Sequence, residues 1–535
     1  MEFKKEVNKI VFLIFPVIIV SLFACSRFKK NSSHQDVSDS SIRSGERLAK
    51  KYCQSCHMFP EPSLLDAVSW SKGVLPNMGP RLGIFNLNWE SYPSSLHDTN
   101  VSKGFYPSQP LLNEQEWRDI INYYSAVSPD SLAAQQRKVP ILIKQDLFFI
   151  SQPASFQPGS ATCYIKVDTT THPHTILLSD ALTRKIYRYN EDLHPVDSFK
   201  SASAMVDIDF KDHEMTISDI GILKPNNGRF GKLQSIVTDV SGKMKLDSVF
   251  QIDALQRPVQ SIEIDLNNDG LNDFLVCEFG FVTGALSWYQ NEGRNKFSRH
   301  ILRSEPGAIK AYVRDYNKDG LPDLFVLFAQ GDEGIFLFTN KGNGHFDQKQ
   351  VLRFPPSYGS SYFEMDDFNK DGYPDILYTC GDNADFSPVL KPYHGVYIFL
   401  NDGNYNFREK YFFPVNGCYK AMAGDFDGDG DLDIATIAFF ADYEKQPEEG
   451  FVYLENEGDF QFNAYSFPQT EVGRWLTMDV GDIDENGNQS ILLGNFSIES
   501  PNSKSKINWG IGPSFLVLKN IKSAKKPKFL SNQVK

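Results

Sequence analysis

Apolar positions along this chain keep one rhythm up to about residue 130 and another beyond residue 160. In the first stretch the spacing is helical. Trp117, Ile120, Ile121 and Tyr124 stand at i, i+3, i+4 and i+7, so a helix over 113–124 has one apolar face that belongs to a core. Asn113, with Glu116 three residues on, supplies a capping-box start. A shorter helical segment, 44–52, sets Leu48 and Tyr52 on one face. Beyond residue 160 the apolar residues gather in short runs, 274–276, 324–327, 376–378 and 434–437, bounded by Gly, Asn and Asp. Runs of this length and composition predict buried strands joined by tight turns.

Each run follows an acidic loop, and the loops share a pattern. In the stretch 425–433 the carboxylates Asp425, Asp427 and Asp429 alternate, and they converge if the backbone curls at Gly430; Asp433 can then close the ring. That is an oxygen cage for a hard cation, Ca²⁺. Copies stand at Asp265/Asn267/Asp269/Gly270/Asp273, Asp315/Asn317/Asp319/Gly320/Asp323 and Asp367/Asn369/Asp371/Gly372/Asp375. A degraded copy at Asp482/Asp484/Asn486/Gly487 has Ser490 in place of the last acid. An EF-hand needs glutamate at the twelfth position, where this chain has Val276, Val326, Tyr378 and Thr436. A metal-free acidic turn would explain one such loop. Four complete copies in register favour about four calcium sites.

Loops that start at 207, 265, 315, 367, 425 and 482 recur every 50 to 58 residues. A period of that size, with about four short strands per unit, predicts propeller blades. For one unit the strands fall at 309–313, 323–328, 334–339 and 345–352. Two upstream units have reduced loops, one at 168–173 and one at Asp207, Asp209 and Asp212. Two reduced, four complete and one degraded unit make seven blades over 161–522, with the run 514–519 as a closing strand. The repeats resemble the FG-GAP/VCBS family, which implies a calcium-bearing all-β propeller of the kind used in adhesion, binding and some enzymes.

At the start of the chain, Lys4, Lys5 and Lys9 precede an apolar run, 10–24, that suits a signal-peptide core and is short for a membrane span. An uncleaved anchor is the other reading. The run ends at Leu22, Phe23, Ala24 and Cys25, which resembles the lipobox of bacterial lipoproteins and implies lipidation of Cys25 after removal of the leader. Residues 26–40 are polar and aperiodic, a flexible tether. Cys53, Cys56 and His57 then form Cys-x-x-Cys-His, in which two thiols add to the haem vinyl groups and the imidazole becomes the proximal iron ligand. A zinc or thioredoxin-like reading lacks a second cysteine pair or a βαβ pattern. The stretch 41–130 resembles class I cytochrome c, which implies a small all-α domain with one covalent haem c. Met78, on the turn-rich loop 75–82, is the leading sixth iron ligand, with His97 or an open position as alternatives. Residues 131–160 are a proline-rich linker with one apolar run, 141–150, and 523–535 form a basic tail.

The net charge of −13 argues against nucleic acid as a partner, and cations in the loops would neutralise much of it. Cys163, Cys277, Cys380 and Cys418 have no disulfide-framework spacing and read as buried thiols, a Cys380–Cys418 disulfide being the alternative. Residues that enter the innermost strands would line the mouth opposite the acidic loops. Lys310 and Lys420 lie five residues before their loops, and Arg257 and Arg474 eight before theirs, with Trp475 adjacent. A ring of these cations would bind an acidic or phosphorylated ligand, a carboxylated sugar or an anionic cofactor. Pairing with inner-strand acids such as Asp366 is the competing reading. Tyr393 and His394 are further polar candidates.

These readings converge on a multidomain chain, a small all-α cytochrome c domain followed by an all-β seven-bladed propeller with calcium loops. Its expected role is electron transfer in the bacterial cell envelope, facing the periplasm or cell surface and lipid-anchored in the membrane. The haem would exchange electrons with a redox partner protein or small-molecule donor while the propeller docks a partner or ligand. The alternative is a haem-linked dehydrogenase that oxidises a small substrate, such as a carbohydrate, in the funnel. A binding module with an accessory haem domain is the third.

Overall fold

The computed structural model describes residues 37–143, 147–154, 156, 158–211, 214–239, 242–384, 386–498 and 507–520. The leader, Cys25 and the basic tail lie outside them. Among the described residues, no helix is long and apolar enough to cross a membrane.

The first part is built on two helices, α1 (Asp39–Tyr52) and α2 (Glu114–Val127). The expected capping box is present: the Asn113 side chain accepts from Glu116 N, and Glu116 Oε2 accepts from Asn113 N. The helices cross at Gly45, where a Cβ would sit 2.0 Å from the Asp119 carbonyl oxygen, so only glycine permits this approach. Leu48, Trp70, Trp117, Ile120 and Tyr124 form the core between them. Its polar atoms are satisfied, with Trp70 Nε1 donating to Pro62 O and the Tyr124 hydroxyl to Pro60 O. Between the helices the described chain forms an irregular helical run, a π-helical turn Ser69–Val74 that continues through Leu75–Met78 into the tight turn Gly79–Leu82, so the stretch 75–82 read as a loop is helical; short turns and a two-stranded ribbon complete it. The helical content is therefore sparser than expected from an all-α domain.

Beyond residue 160 the chain forms seven antiparallel sheets arranged as the blades of a propeller. Blades 1 to 7 occupy 162–200, 205–255, 258–303, 308–353, 360–414, 418–466 and 475–520. The second strand of a blade is buried on both faces, as in Asp273–Glu278, Asp323–Phe328, Asp375–Cys380 and Asp433–Ala438. That is why the sequence shows continuous apolar runs there and no alternation. Seven separate apolar clusters fill the seven gaps between neighbouring blades. Each blade is thus held by both neighbours, and the ring must close to bury the first and the last.

Closure corrects the reading of 131–160 as a linker. Strand β1 (Ile141–Ile143) adds in parallel to the outer edge of blade 6, pairing Ile141 with Ala464. Strand β2 (Phe148–Ser151) is the outermost strand of blade 7, antiparallel to Phe515–Asn520. The expected closing strand near 514–519 is instead the third strand of that blade. Locally this stretch has a linker's composition, because its partners lie more than three hundred residues away. Arg137 pins the approach to β1, pairing with the fully buried Glu449 and donating to Pro414 O.

Candidate functional site

Three regions carry chemistry: the turn after α1, the acidic loops, and the axial channel lined by the innermost strands.

Helix α1 ends in a tight turn, Cys53–Ser55, that brings both thiols and His57 to one end of the helical part. Cys53 is half-buried against the helical core, and burial pushes its thiol up to about 12; Cys56 is exposed. His57 Nδ1 lies 2.8 Å from Met58 O, so that nitrogen is the donor and Nε2 is left as the ligating atom. Burial holds the imidazole below its usual pKa, in the neutral form a metal needs. Two thiols beside a neutral imidazole fit a covalent haem. Asp332 and Arg353 of blade 4 also act on the charge of His57. Glu305, entering blade 4, acts together with Cys56 on Arg81, whose guanidinium stacks 4.3 Å from the Phe105 ring. Met78 is half-buried at the end of the one-turn helix Leu75–Met78, and His97 is exposed.

The helical part sits on the propeller face opposite the acidic loops. Tyr393 of blade 5 donates its hydroxyl to Leu64 O at 3.0 Å, and Asn227 of blade 2 donates to Asp98 at 2.8 Å. A Cβ on Gly73 would meet the Phe386 carbonyl oxygen at 2.0 Å, so the two surfaces are in contact there. Tyr393 is thus an interdomain contact, and His394 is fully buried.

In the acidic loops the glycines have φ near +90°, and no neighbour restricts them, so the backbone conformation alone demands glycine. The first acid organises each curl: Asp265, Asp315, Asp367 and Asp425 accept the N–H of Gly270, Gly320, Gly372 and Gly430 at 2.8 to 3.1 Å. The carboxylate oxygens of Asp425, Asp427 and Asp429 lie within 4.8 Å of one another, as a cation cage requires.

The other three loops depart from that cage. Among the described residues, three converging carboxylates occur in the Asp425 loop and not in the loops of blades 3, 4 and 5. There Asn267, Asn317 and Asn369 take the third position, and the fifth acids Asp269, Asp319 and Asp371 are exposed and engaged within their own turn. Asp269 Oδ1 accepts from Leu271 N, Asp319 Oδ1 from Leu321 N and Asp371 Oδ1 from Tyr373 N, at 2.8 to 2.9 Å. The second oxygens of Asp269 and Asp371 accept from the side-chain amides of Asn267 and Asn369. Asp269, Asp319 and Asp371 therefore brace the turn, as Asp429 does by accepting from Asp431 N in the loop of blade 6. In blades 3 and 5 the asparagine amide also donates to the fifth acid, where a carboxylate, as in Asp427, has no proton to give.

The ninth acid also holds the backbone. Asp273, Asp323, Asp375 and Asp433 are buried, and both oxygens of each accept backbone N–H groups. Asp433, for example, holds Phe426 N and Asn456 N and also accepts from the Tyr453 hydroxyl. These acids latch the loop to the third strand, and only their remaining lone pairs face outward. Burial raises Asp433 to about 7 and Asp375 to about 6.

Proton counts give the sign of the resulting pH effect. Without cation, the native state keeps protons on Asp433 and Asp375 that the unfolded chain releases near pH 4, so stability falls as pH rises from about 4 to about 7. A bound cation favours the ionised forms. The gap in melting temperature between calcium-loaded and chelated protein should therefore widen from about pH 5 to about pH 8. A gap of equal size at both pH values would show that these acids are not linked to cation binding.

The axial channel corrects the cationic-ring reading. Arg474 is buried and lies 3.7 Å over the Phe439 ring, donating to Phe439 O and Ile498 O. Arg257 donates to Gly280 O and Leu223 O. Both arginines brace loops through backbone carbonyls. Trp475 is core and donates to Thr470 O. Lys310 and Lys420 do line the channel, together with Lys166, but they alternate with Asp207, Asp209, Glu364 and Asp479. Asp207 and Asp209 thus belong to an inner strand, Met205–Lys211, and not to a shortened calcium loop.

These side chains stitch each inner strand to the next. Asp207 accepts from Ser261 N at 3.0 Å, Asp209 from Glu263 N at 2.7 Å, Glu364 from Ala423 N at 2.9 Å and Asp479 from Val167 N at 2.9 Å. Lys420 Nζ donates to Met478 O at 2.7 Å, and Lys310 lies over the Tyr312 and Tyr362 rings. Burial brings Lys420 down to about 8 and Asp207 up to about 6. The channel is a belt of mixed charge, three lysines among four carboxylates. Sequence reasoning misses Glu364 and Asp479 and misplaces Asp207 and Asp209 in a loop; the signal is their phase, since they share inner-strand positions with the lysines. Cys163, Cys277, Cys380 and Cys418 are buried free thiols, so Cys380 and Cys418 form no disulfide.

Comparison with known proteins bears on the repeats. The family model described as FG-GAP-like repeat matches residues 265–326, 315–378 and 388–436, and the FG-GAP repeat model matches 419–454. These matches fall in blades 3 to 6. Integrin alpha-PS5 of Drosophila melanogaster is 37% identical over 92 residues, a match spanning 14% of this chain and 9% of that protein. Among solved structures, Saccharomyces cerevisiae Sqt1 is similar over 71% of this chain and 100% of its own, at 9% identity and a TM-score of 0.43. The N-terminal domain of Nup159 is similar over 72% of this chain and 99% of its own, at 12% identity and a TM-score of 0.40. The chain thus carries FG-GAP repeats on a seven-bladed β-propeller.

Proposed function

We propose that this chain is a membrane-tethered c-type cytochrome of the bacterial cell envelope whose calcium-bearing propeller docks a partner or ligand. In this reading Cys25 carries the lipid, and Cys53, Cys56 and His57 hold one haem c with Met78 as the sixth ligand. The acidic loops headed by Asp265, Asp315, Asp367 and Asp425 hold calcium, the last of them with its three carboxylates already together. The haem supplies one-electron redox chemistry when bound. His57 is oriented by its Nδ1–H, which donates to Met58 O and leaves Nε2 for the iron.

The observation that carries the reading is the attachment turn, which gathers Cys53, Cys56 and His57 at one end of the helical part with Nδ1 of His57 donating to Met58 O. The helical part rests on the propeller through Tyr393 and Asn227, so a partner docked beside it would meet both parts. Electron relay is favoured over substrate oxidation in the channel, because Lys420 is bonded to the next blade and the channel carboxylates hold backbone N–H groups.

The test is the visible spectrum of the soluble fragment that starts after Cys25, calcium-loaded and oxidised, then mixed anaerobically with sugars and sugar acids. The weak charge-transfer band of methionine-ligated ferric haem should be present and should vanish in Met78→Ala. Its absence from the wild type would discard the Met78 assignment. Reduction by a sugar would replace the relay reading with that of an oxidoreductase; reduction by a generic electron donor alone supports the relay.

A further inference from the structure

The seam between the last blade and the first carries a different donor set from the acidic loops. In blade 1 the loop between the first two strands presents His172 and His174; in blade 7 the corresponding loop presents Glu485. Glu485 Oε1 lies 3.2 Å from His172 Nδ1 and 3.7 Å from His174 Nε2. The ligating atoms of all three residues lie within 4.8 Å of one another.

The tautomer of His174 is set by its surroundings. Its Nδ1 is 2.6 Å from the Asp482 carbonyl oxygen, so Nδ1 carries the proton and donates, leaving the Nε2 lone pair turned toward Glu485. A lone pair facing a carboxylate oxygen calls for a cation between them. Glu485 is itself held, accepting from the backbone N–H of His174 at 2.9 Å. The site is also accessible: His172 is 78% exposed, whereas His174, at 13%, forms its floor.

Position within the repeat adds an independent argument. Glu485 has φ +53°, the left-handed slot filled by Asn268, Lys318 and Lys370 in blades 3, 4 and 5. That slot reaches the next blade's loop elsewhere: Lys370 pairs with Asp431, and Asn268 donates to Gly320 O. In blade 7 the next loop belongs to blade 1. We propose that His172, His174 and Glu485 form a zinc-class transition-metal site that clamps blade 7 to blade 1 at the point where the ring closes. Two imidazoles and one carboxylate suit zinc and its neighbours over calcium, and they leave a fourth position for water.

Zinc titration of the full chain by calorimetry, in saturating calcium, tests the proposal. The wild type should bind one zinc ion that His174→Ala and Glu485→Gln each weaken by at least about tenfold, since even outer-shell changes cost that much. Zinc should raise the wild-type melting temperature and leave both variants unmoved. Glu485→Gln keeps an acceptor for the His174 N–H, so it guards against simple misfolding of the loop. Superimposable isotherms for wild type and both variants, or no saturable binding to the wild type, would overturn the assignment.

Discussion

Serine at both Cys53 and Cys56 is expected to abolish covalent haem attachment while leaving the propeller folded. A thiol adds to a haem vinyl group to form a thioether, and a hydroxyl does not, so the loss should be complete. The readout is haem that stays with the polypeptide through denaturing electrophoresis: present in the wild type, absent in the double variant. Because the seven inter-blade clusters contain neither cysteine, the main thermal transition should hardly move. His57→Ala should keep the covalent link and change the spectrum, because the imidazole ligates iron and forms no thioether. A wild-type protein that gives up all its haem on denaturation would end the c-type reading.

The second large effect concerns closure of the ring. A propeller fragment that begins at residue 161 is expected to be unstable and prone to associate, whereas one that begins at 131 should fold as a monomer. The shorter fragment lacks β1 and β2. Without β2 the strand Phe515–Asn520 becomes an open edge, a template for pairing with other chains. It also loses Leu147 and Phe148, both buried in the cluster between blades 6 and 7. Phe148 makes edge contacts with Phe426, Tyr453 and Phe467. Within the full chain, Phe148→Ala alone should cost about 3–5 kcal/mol, against about 5–15 kcal/mol for the stability of a whole domain. Melting curves and elution volumes of the two fragments decide the matter. Equal stability would show that β1 and β2 decorate the ring and do not close it.

The residues legible from sequence are those whose meaning is local. The capping box of α2 needs only Asn113 and Glu116, three positions apart. The blade count needs only the spacing of the acidic loops. The innermost phase of Lys310 and Lys420 is visible because each strand keeps a two-residue period. What escapes local reading is every partner on a distant strand or another blade. Lys420 reads as a free cation because Asp479 and Glu364, which share its belt, lie 59 and 56 residues away in other blades. The backbone bonds of Asp433 go unread because its partner Asn456 belongs to the third strand of the same blade. The bonds of Asp269, Asp319 and Asp371 go unread on a smaller scale. Their place in the curl is right, but the side-chain amides and N–H groups that occupy their oxygens are settled only by the turn's own geometry.

Sequence alone determined the repeat, its strand composition, the glycine-centred acidic curls and the Cys-x-x-Cys-His turn. All of these depend on residues within one turn or one hairpin, where chain connectivity already brings the groups together. Tertiary structure alone decided which chain segments complete blades 6 and 7, where the buried charges find partners, and which loops meet at the seam. Those outcomes follow from ring closure. Closure sets blade 7 beside blade 1 and draws Ile141–Ile143 and Phe148–Ser151 against strands more than three hundred residues away, and no local pattern records either contact.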